Sequence, residues 1–447
     1  MILAQQVFAS AKPVYNAYPG VPMRIVIENG RVLDPANKLD EKQDLFIANG
    51  KIVGLKKKPD GFNSDLQIDA KDKAVLPGLI DLCARLREPG YGHKATFQSE
   101  CQAANSSGIT SICCPPDTKP VIDTTAVVDL IHQRTRDANR ANVYPLAALT
   151  LGLKGEHLAE MDTLRRAGCI GVSNGLAPIQ STEVLRRAFE YAHSCGLTVF
   201  FFAEDHSLKN NGVAHEGPVS TRLGLPAIPE TAETVALSRA LLLVEQTQVK
   251  AHFCRLSSAR SVAMIATAQE QGLPVTADVS ICHLHLTEMD IADYNSDCHL
   301  QPPLRNERDR QGLIEGINKG AITAVCSDHQ PHDADAKAAP FSQTEAGAST
   351  IEHLLPLMLH LVNRKEIKLE SAISVLSSQP ANILGIDKGT LAVGSDADIC
   401  ILDLDSSNSV DTASLLSAGK NTPFKGWELP GQVTHTLYNG NVVFNKN

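Results

Sequence analysis

Three groups of residues have types and spacing suited to chemistry. His283-Leu284-His285 is the only His-x-His in the chain. Residues i and i+2 of an extended segment point the same way, so two imidazoles so placed can reach one metal ion. The pair follows the apolar run 275–279, and no nearby carboxylate completes a ligand set, so ordinary loop sequence is the competing reading. Glu204-Asp205-His206 has the composition of an acid–base set. Adjacent loop residues point in different directions, however, which suits solvated loop charge. Cys83 has a nucleophile's side chain but stands among apolar neighbours with no histidine paired to it by motif. The alternative is a buried, inert thiol.

The elements that must position these groups are legible in the pattern. The 447 residues exceed one ordinary domain and suit one large barrel plus an accessory unit. With 43% hydrophobic and 20% charged residues the composition is globular, which excludes whole-chain disorder. A net charge of -9 excludes a basic nucleic-acid footprint. Eleven cysteines show no CxxC pair and no paired framework, as expected of buried thiols in a reducing compartment. No window approaches the ~18 apolar residues of a spanning helix, and a cytoplasmic protein is expected. Ala9-Ser10-Ala11 looks like a leader-cleavage site but lacks a positive segment before it, so residues 1–22 read as a loose tail.

From Met23 the chain is strand-like, with Asn29-Gly30 and Asn49-Gly50 as hairpin signals, and Asn439-Gly440 marks another near the C-terminus. The two ends, 23–76 and 386–447, are expected to build one small β-sandwich together. Between them, in 77–385, apolar strands alternate with helix-period stretches. The strands are expected at 78–82, 109–114, 143–149, 169–172, 197–202, 249–254, 275–279 and 322–326, and helices at Thr182–Ser194 and 232–246, among others. About eight such units predict an α/β fold, a (β/α)8 TIM barrel with its chemistry at the strand C-termini.

The segment from Pro77-Gly78-Leu79-Ile80-Asp81 to Arg87-Glu88-Pro89-Gly90 resembles the first barrel strand of dihydroorotases, in the amidohydrolase superfamily. The resemblance continues through Cys114-Pro115-Pro116-Asp117-Thr118, Ser173-Asn174-Gly175, Phe202-Ala203-Glu204-Asp205, Arg255-Leu256-Ser257-Ser258, Pro302-Pro303-Leu304-Arg305 and Ser327-Asp328-His329-Gln330-Pro331-His332. Gly389-Thr390-Leu391 and Asn421-Thr422-Pro423-Phe424 extend it towards the end. It implies a metal-dependent hydrolase barrel opening the cyclic amide dihydroorotate. The Arg-Glu-Pro-Gly run and Asn-Thr-Pro favour dihydroorotase over hydantoinase-like cousins, though allantoinases share parts of the pattern.

At the positions where the family holds zinc, this sequence has Cys83, Arg85, Asn174, Phe202, Arg255 and Asp328. Only Asp328 matches, at the family's ligand and base position. Arginine stays protonated and only donates, and phenylalanine offers no donor atom. One carboxylate and one thiol fall short of a zinc site with three protein ligands, so no bound metal is expected. Arg85 and Arg255 are expected to pair with Asp328 in place of the ion, since a buried carboxylate needs a cation. Arg87, Asp117, Gln301 and His332 match substrate-binding positions, Asp117 standing where Asn is usual. The resemblance is closest to inactive dihydroorotase-like chains that associate with aspartate carbamoyltransferase. It implies a non-catalytic subunit of pyrimidine synthesis, a dimer or larger assembly. The alternatives are an active cyclic-amide hydrolase with an unconventional site, and a sensor that binds a pyrimidine intermediate without turnover.

Overall fold

The computed structural model describes residues 23–446, so the expected tail at 1–22 lies outside the described residues. Eight parallel strands form the central sheet: β1 (Leu79–Asp81), β2 (Ile109–Cys114), β3 (Asn142–Ala148), β4 (Gly171–Ser173), β5 (Thr198–Phe202), β6 (Ala251–Cys254), β7 (Val275–Ser280) and β8 (Ala324–Cys326). Their side chains alternate. Phe253 and Val325 join the core between strands and helices, whereas Cys113, Phe200, Cys254 and Cys326 pack together inside the barrel. This is the period-2 geometry of a strand buried on both faces.

The barrel closes indirectly. Val375 and Leu376 lie between β8 and β1, accepting from Val325 N at 3.2 Å and Ile80 N at 2.8 Å. Beyond the strand ends the two sides meet directly: His329 N donates to Cys83 O at 3.2 Å and Arg85 N to His329 O at 2.9 Å. The mouth is thus sewn shut by the segments that carry Cys83, Arg85 and Asp328.

Helices cover the outside. The helix Thr182–Ser194 matches its expected bounds, with Ser181 Oγ accepting from Val184 N at its start. Its buried face carries Leu185, Ala188, Phe189 and Ala192 at helical spacing. The helix expected at 232–246 runs slightly further, Glu230–Thr247. The strand expected at 169–172 is corrected to Gly171–Ser173, because Cys169 N instead donates to Leu164 O at 3.1 Å and ends the preceding helix.

The termini form two sheets. One has four strands, Lys51–Leu55, Leu45–Ala48, Ile25–Glu28 and Leu66–Asp69. The other has six, from Asn441–Asn445 through Glu428–Tyr438, Ile399–Ser409, Ala74–Pro77 and Arg31–Asp34 to Leu39–Lys42. Ile25, Ile47, Val75, Ile401 and Leu437 share the core between them. Asn49 and Asn439 take positive φ at two Asn-Gly hairpins, as expected, but Asn29-Gly30 is corrected: it passes the chain from one sheet to the other, since Ile25–Glu28 and Arg31–Asp34 do not pair. Lys388 ties this unit to the barrel's start: its Nζ lies 2.7 Å from Asp398, whose carbonyl accepts Gly78 N at 2.8 Å.

All eleven cysteines are free thiols, and all but Cys195 and Cys254 are buried. Among the described residues no helix is long and apolar enough to cross a membrane. Phe253 is fully buried and meets Phe201 edge-to-face at 6.0 Å between ring centroids. Phe253→Ala is expected to lower stability by about 3–5 kcal/mol, read as a drop in the urea midpoint at unchanged slope.

Candidate functional site

Asp328 follows β8 and is 6% exposed. Its Oδ1 collects an unusual number of partners. Arg85 Nη1 lies at 3.3 Å, Arg255 Nη1 at 3.5 Å, Gln330 Nε2 at 3.3 Å and Cys83 Sγ at 3.5 Å. Arg85 turns its Nε to Asp117 Oδ2 at 2.8 Å. Arg255 Nη1 also reaches Cys83 Sγ at 2.7 Å, and its guanidinium lies over the Phe202 ring at 4.9 Å. Two guanidiniums and two carboxylates therefore form one charge-balanced cluster, buried except on the Asp117 side. The thiol of Cys83 stays neutral within it: burial pushes it up to about 12, against the pull of Arg255. Burial also raises the Asp117 carboxyl, but Arg85, by charge and hydrogen bond, brings it below its ordinary value.

The backbone sets this aim. Arg255 and Asp328 both take positive φ, 55° and 47°, which bulky residues rarely adopt without support. At Arg255 the support is Asp278 on β7, whose Oδ1 accepts the Arg255 N–H at 2.5 Å.

The other expected residues are dispersed around this centre. Asn174 is a structural link rather than part of the cluster: its Oδ1 accepts from Thr150 Oγ1 at 2.7 Å and its Nδ2 donates to Ala177 O at 2.9 Å. Arg87 Nε donates to Pro331 O at 2.9 Å, and its Nη2 lies 3.2 Å from His332 Nε2. No carboxylate pairs with Arg87 among the described ion pairs, and burial, reinforced by Arg85, lowers it to about 10. His332 Nδ1 accepts from Lys94 Nζ at 3.2 Å while Nε2 donates to Ala346 O at 3.0 Å. Burial, then Arg87 and Lys94, drives its ring down to about 3. Asn421 fastens this rim: its Oδ1 accepts His332 N at 2.9 Å and its Nδ2 donates to Gln330 O and Gly347 O, both at 3.1 Å. Gln301 donates to Glu204 Oε1 at 2.8 Å, away from the Asp328 cluster. Asp117, expected at a substrate position, is spent on Arg85.

The other motifs separate. His283 Nε2 faces the carbonyls of Pro302 and Pro303, whereas His285 Nε2 faces Leu357 O at 3.1 Å, so the two imidazoles share no site. Asp205 caps the turn that follows it through Ser207 N and Leu208 N, and Glu204 pairs with Lys209 at 2.9 Å.

A divalent ion at the mouth does not fit these residues. Arg85 and Arg255 lie where it would balance Asp328, Phe202 presents a ring, and Asn174 is committed elsewhere. A different group, His252, Cys254 and Asp278, brings three potential ligand atoms within 4.8 Å of one another inside the barrel. The sequence reading missed it, along with the buried Lys94 and its partner Glu345 at 2.6 Å. The available signal was a charged residue, Asp278, inside the otherwise apolar run 275–279.

Two outcomes are expected from the cluster. Asp328→Ala leaves two buried guanidiniums sharing only Asp117 and is expected to cost about 3–5 kcal/mol in chemical denaturation. The triple substitution R85M/R255M/D328L is expected to recover most of that loss, because Asp117 is 26% exposed at its side chain and tolerates being unpaired. The second concerns pH. The His332 ring is depressed to about 3 from 6.5, so its contribution is complete above about 6.5 and is lost as pH falls from there towards 3. His332→Asn is expected to flatten the fall of unfolding free energy over that interval, measured by urea titration at stepped pH.

Comparison with known proteins agrees with this geometry. A family model described as dihydro-orotase-like matches residues 72–261, and one described as amidohydrolase family matches 314–444. A dihydroorotase-like protein of Pseudomonas aeruginosa is 48% identical over 421 residues, spanning 94% of this chain and 99% of that protein. A dihydroorotase of Syntrophus aciditrophicus is 39% identical over 423 residues, with the same two shares. Among solved structures, the L-hydantoinase of Arthrobacter aurescens superimposes with a TM-score of 0.85 at 25% identity, over 95% of this chain and 97% of that one. A barrel of this topology and identity of 48% and 39% sustained over 94% of the chain leave one assignment: the chain belongs to the dihydroorotase family of amidohydrolases.

Proposed function

We propose that this chain is a non-catalytic dihydroorotase homologue of UMP biosynthesis, acting as a structural subunit for aspartate carbamoyltransferase. One observation carries the non-catalytic part: Arg85 and Arg255 stand 3.3 and 3.5 Å from Asp328, in the volume that a hydrolytic metal would need. In the family's chemistry a metal lowers the pKa of water from 15.7 to about 7. Fixed guanidiniums balance the Asp328 charge but present no open coordination position for water. The carboxylate meanwhile is engaged by two cations and Gln330, which opposes its service as a base. The Pseudomonas relative, named a dihydroorotase-like protein, is 48% identical, against 39% for the Syntrophus dihydroorotase, which agrees with a divergent branch. The partner follows from the family resemblance: a fold kept whole around a filled mouth suits a subunit retained for assembly. Such a subunit would work in the cytoplasm as a dimer or within a larger complex.

A second reading, binding without turnover, is favoured by Arg87, a largely buried cation with no carboxylate partner beside the neutral His332.

The deciding measurement is dihydroorotate turnover in both directions by purified protein with zinc added. None is expected, and turnover would overturn the reading. Capture of the tagged chain from its native cells is expected to bring aspartate carbamoyltransferase with it, and deletion of the chain to disperse that enzyme's assembly on a sizing column. An unchanged assembly would remove the structural role. Dihydroorotate binding in calorimetry without turnover, lost in Arg87→Met, would favour the second reading. Restoring histidine at positions 83 and 85 together is expected to give no hydrolysis, because Asn174, Phe202 and Arg255 remain.

A further inference from the structure

We propose that the barrel interior beneath the arginines is a zinc site, in which His252, Cys254 and Asp278 bind the ion and Cys326 supplies the fourth ligand. The site is distinct from the mouth where the family resemblance would seek a metal, and the proposal does not depend on the non-catalytic reading.

Four observations converge. Donor atoms of His252 and Cys254 on β6 and of Asp278 on β7 lie within 4.8 Å of one another. Tetrahedral zinc, with bonds of 2.0–2.3 Å, needs donors roughly 3.3–3.8 Å apart, so a contraction of about an ångström brings these three to ligating spacing. Cys326 Sγ on β8 lies outside this group of three but is 3.7 Å from Asp278 Oδ1, so a modest further movement would bring a second thiol to the ion.

The ring of His252 is held as ligating histidines are held. Its Nδ1 faces Thr276 Oγ1 at 2.8 Å, and its Nε2 faces Asp278 Oδ2 at 2.8 Å. Asp278 Oδ1 takes the Arg255 N–H, so Oδ2, now held by the His252 ring, is the oxygen an ion would take over.

Charge supplies the fourth argument. Asp278 is 1% exposed, and among the described residues no lysine or arginine side chain pairs with it; its one ion-pair partner is His252. A carboxylate so buried calls for a cation. On binding, both thiols lose their protons to solvent, and the His252 ring proton moves from Nε2 to Nδ1, donating to Thr276 Oγ1. Two protons leave per zinc. The resulting site carries one negative charge, which the adjacent Arg255 guanidinium offsets.

The test is metal analysis of the full chain, purified from zinc-supplemented cells and, separately, refolded with equimolar zinc to bypass the buried entry. Stoichiometric zinc is expected in the parent protein and in the Cys83→Ser and Asp328→Asn variants. Zinc affinity is expected to fall about tenfold or more in Cys254→Ser and in Cys326→Ser, each checked for folding by circular dichroism. Cobalt in place of zinc is expected to show a thiolate charge-transfer band that weakens in each serine variant. Absence of zinc from both preparations would overturn the proposal and leave the non-catalytic reading standing. Zinc kept by the Cys254 and Cys326 variants but lost from the Cys83 or Asp328 variants would place the ion at the mouth and overturn both.

Discussion

A carboxylate that is almost wholly withdrawn from water at the end of β8 must be matched by positive charge, and much of this molecule's upper face follows from that need. Asp328 sits one residue before His329, whose backbone joins the two sides of the barrel. Its charge therefore cannot be relieved by swinging outward without opening the seam. The match comes from Arg85 just beyond β1 and Arg255 just beyond β6, with Asp117 restoring neutrality. Guanidinium suits the task better than ammonium would, because its planar fork serves two acceptors at once and remains protonated when buried. Arg85 does this, spanning Asp328 and Asp117.

Filling the mouth in this way changes what the barrel can do more than what it is. The strands and the sandwich of the two termini keep the family's architecture, and Arg87, His332 and Asn421 are linked along one rim. Beside Asp328 the mouth presents the guanidiniums of Arg85 and Arg255, side chains that are part of the chain itself. Such a cluster balances its own charge without any bound ion. Fold alone does not decide this; the identity of a few residues at strand ends does.

The architecture was legible because it is written locally. Apolar runs of strand length alternate with helical stretches such as Thr182–Ser194, and Asn49-Gly50 and Asn439-Gly440 mark hairpins. The mouth residues were legible by position, through the motif before Arg87 and the one around Asp328. Their partnerships were less so. Asp117 read as a substrate contact, whereas it is bound to Arg85, 32 positions away. The link between Lys94 and Glu345 joins positions 251 apart, and no local pattern announces it. Asp278 escaped notice because its meaning lies in what the two neighbouring strands bring to it: the Arg255 amide and the His252 ring from β6, and the Cys326 thiol from β8. Strand order can be inferred from rhythm, but which inward side chains meet depends on stagger between neighbouring strands.

Asn421 carries a last implication. It pins His332, Gln330 and Gly347 from a position beyond the whole barrel, and Ser417 joins it by donating to Glu100 Oε2, which also receives His329 Nε2. During synthesis the eight strands emerge from the ribosome well before these fastenings do. The barrel can collapse early, but its upper face is fastened only once residues 417–421 have followed it.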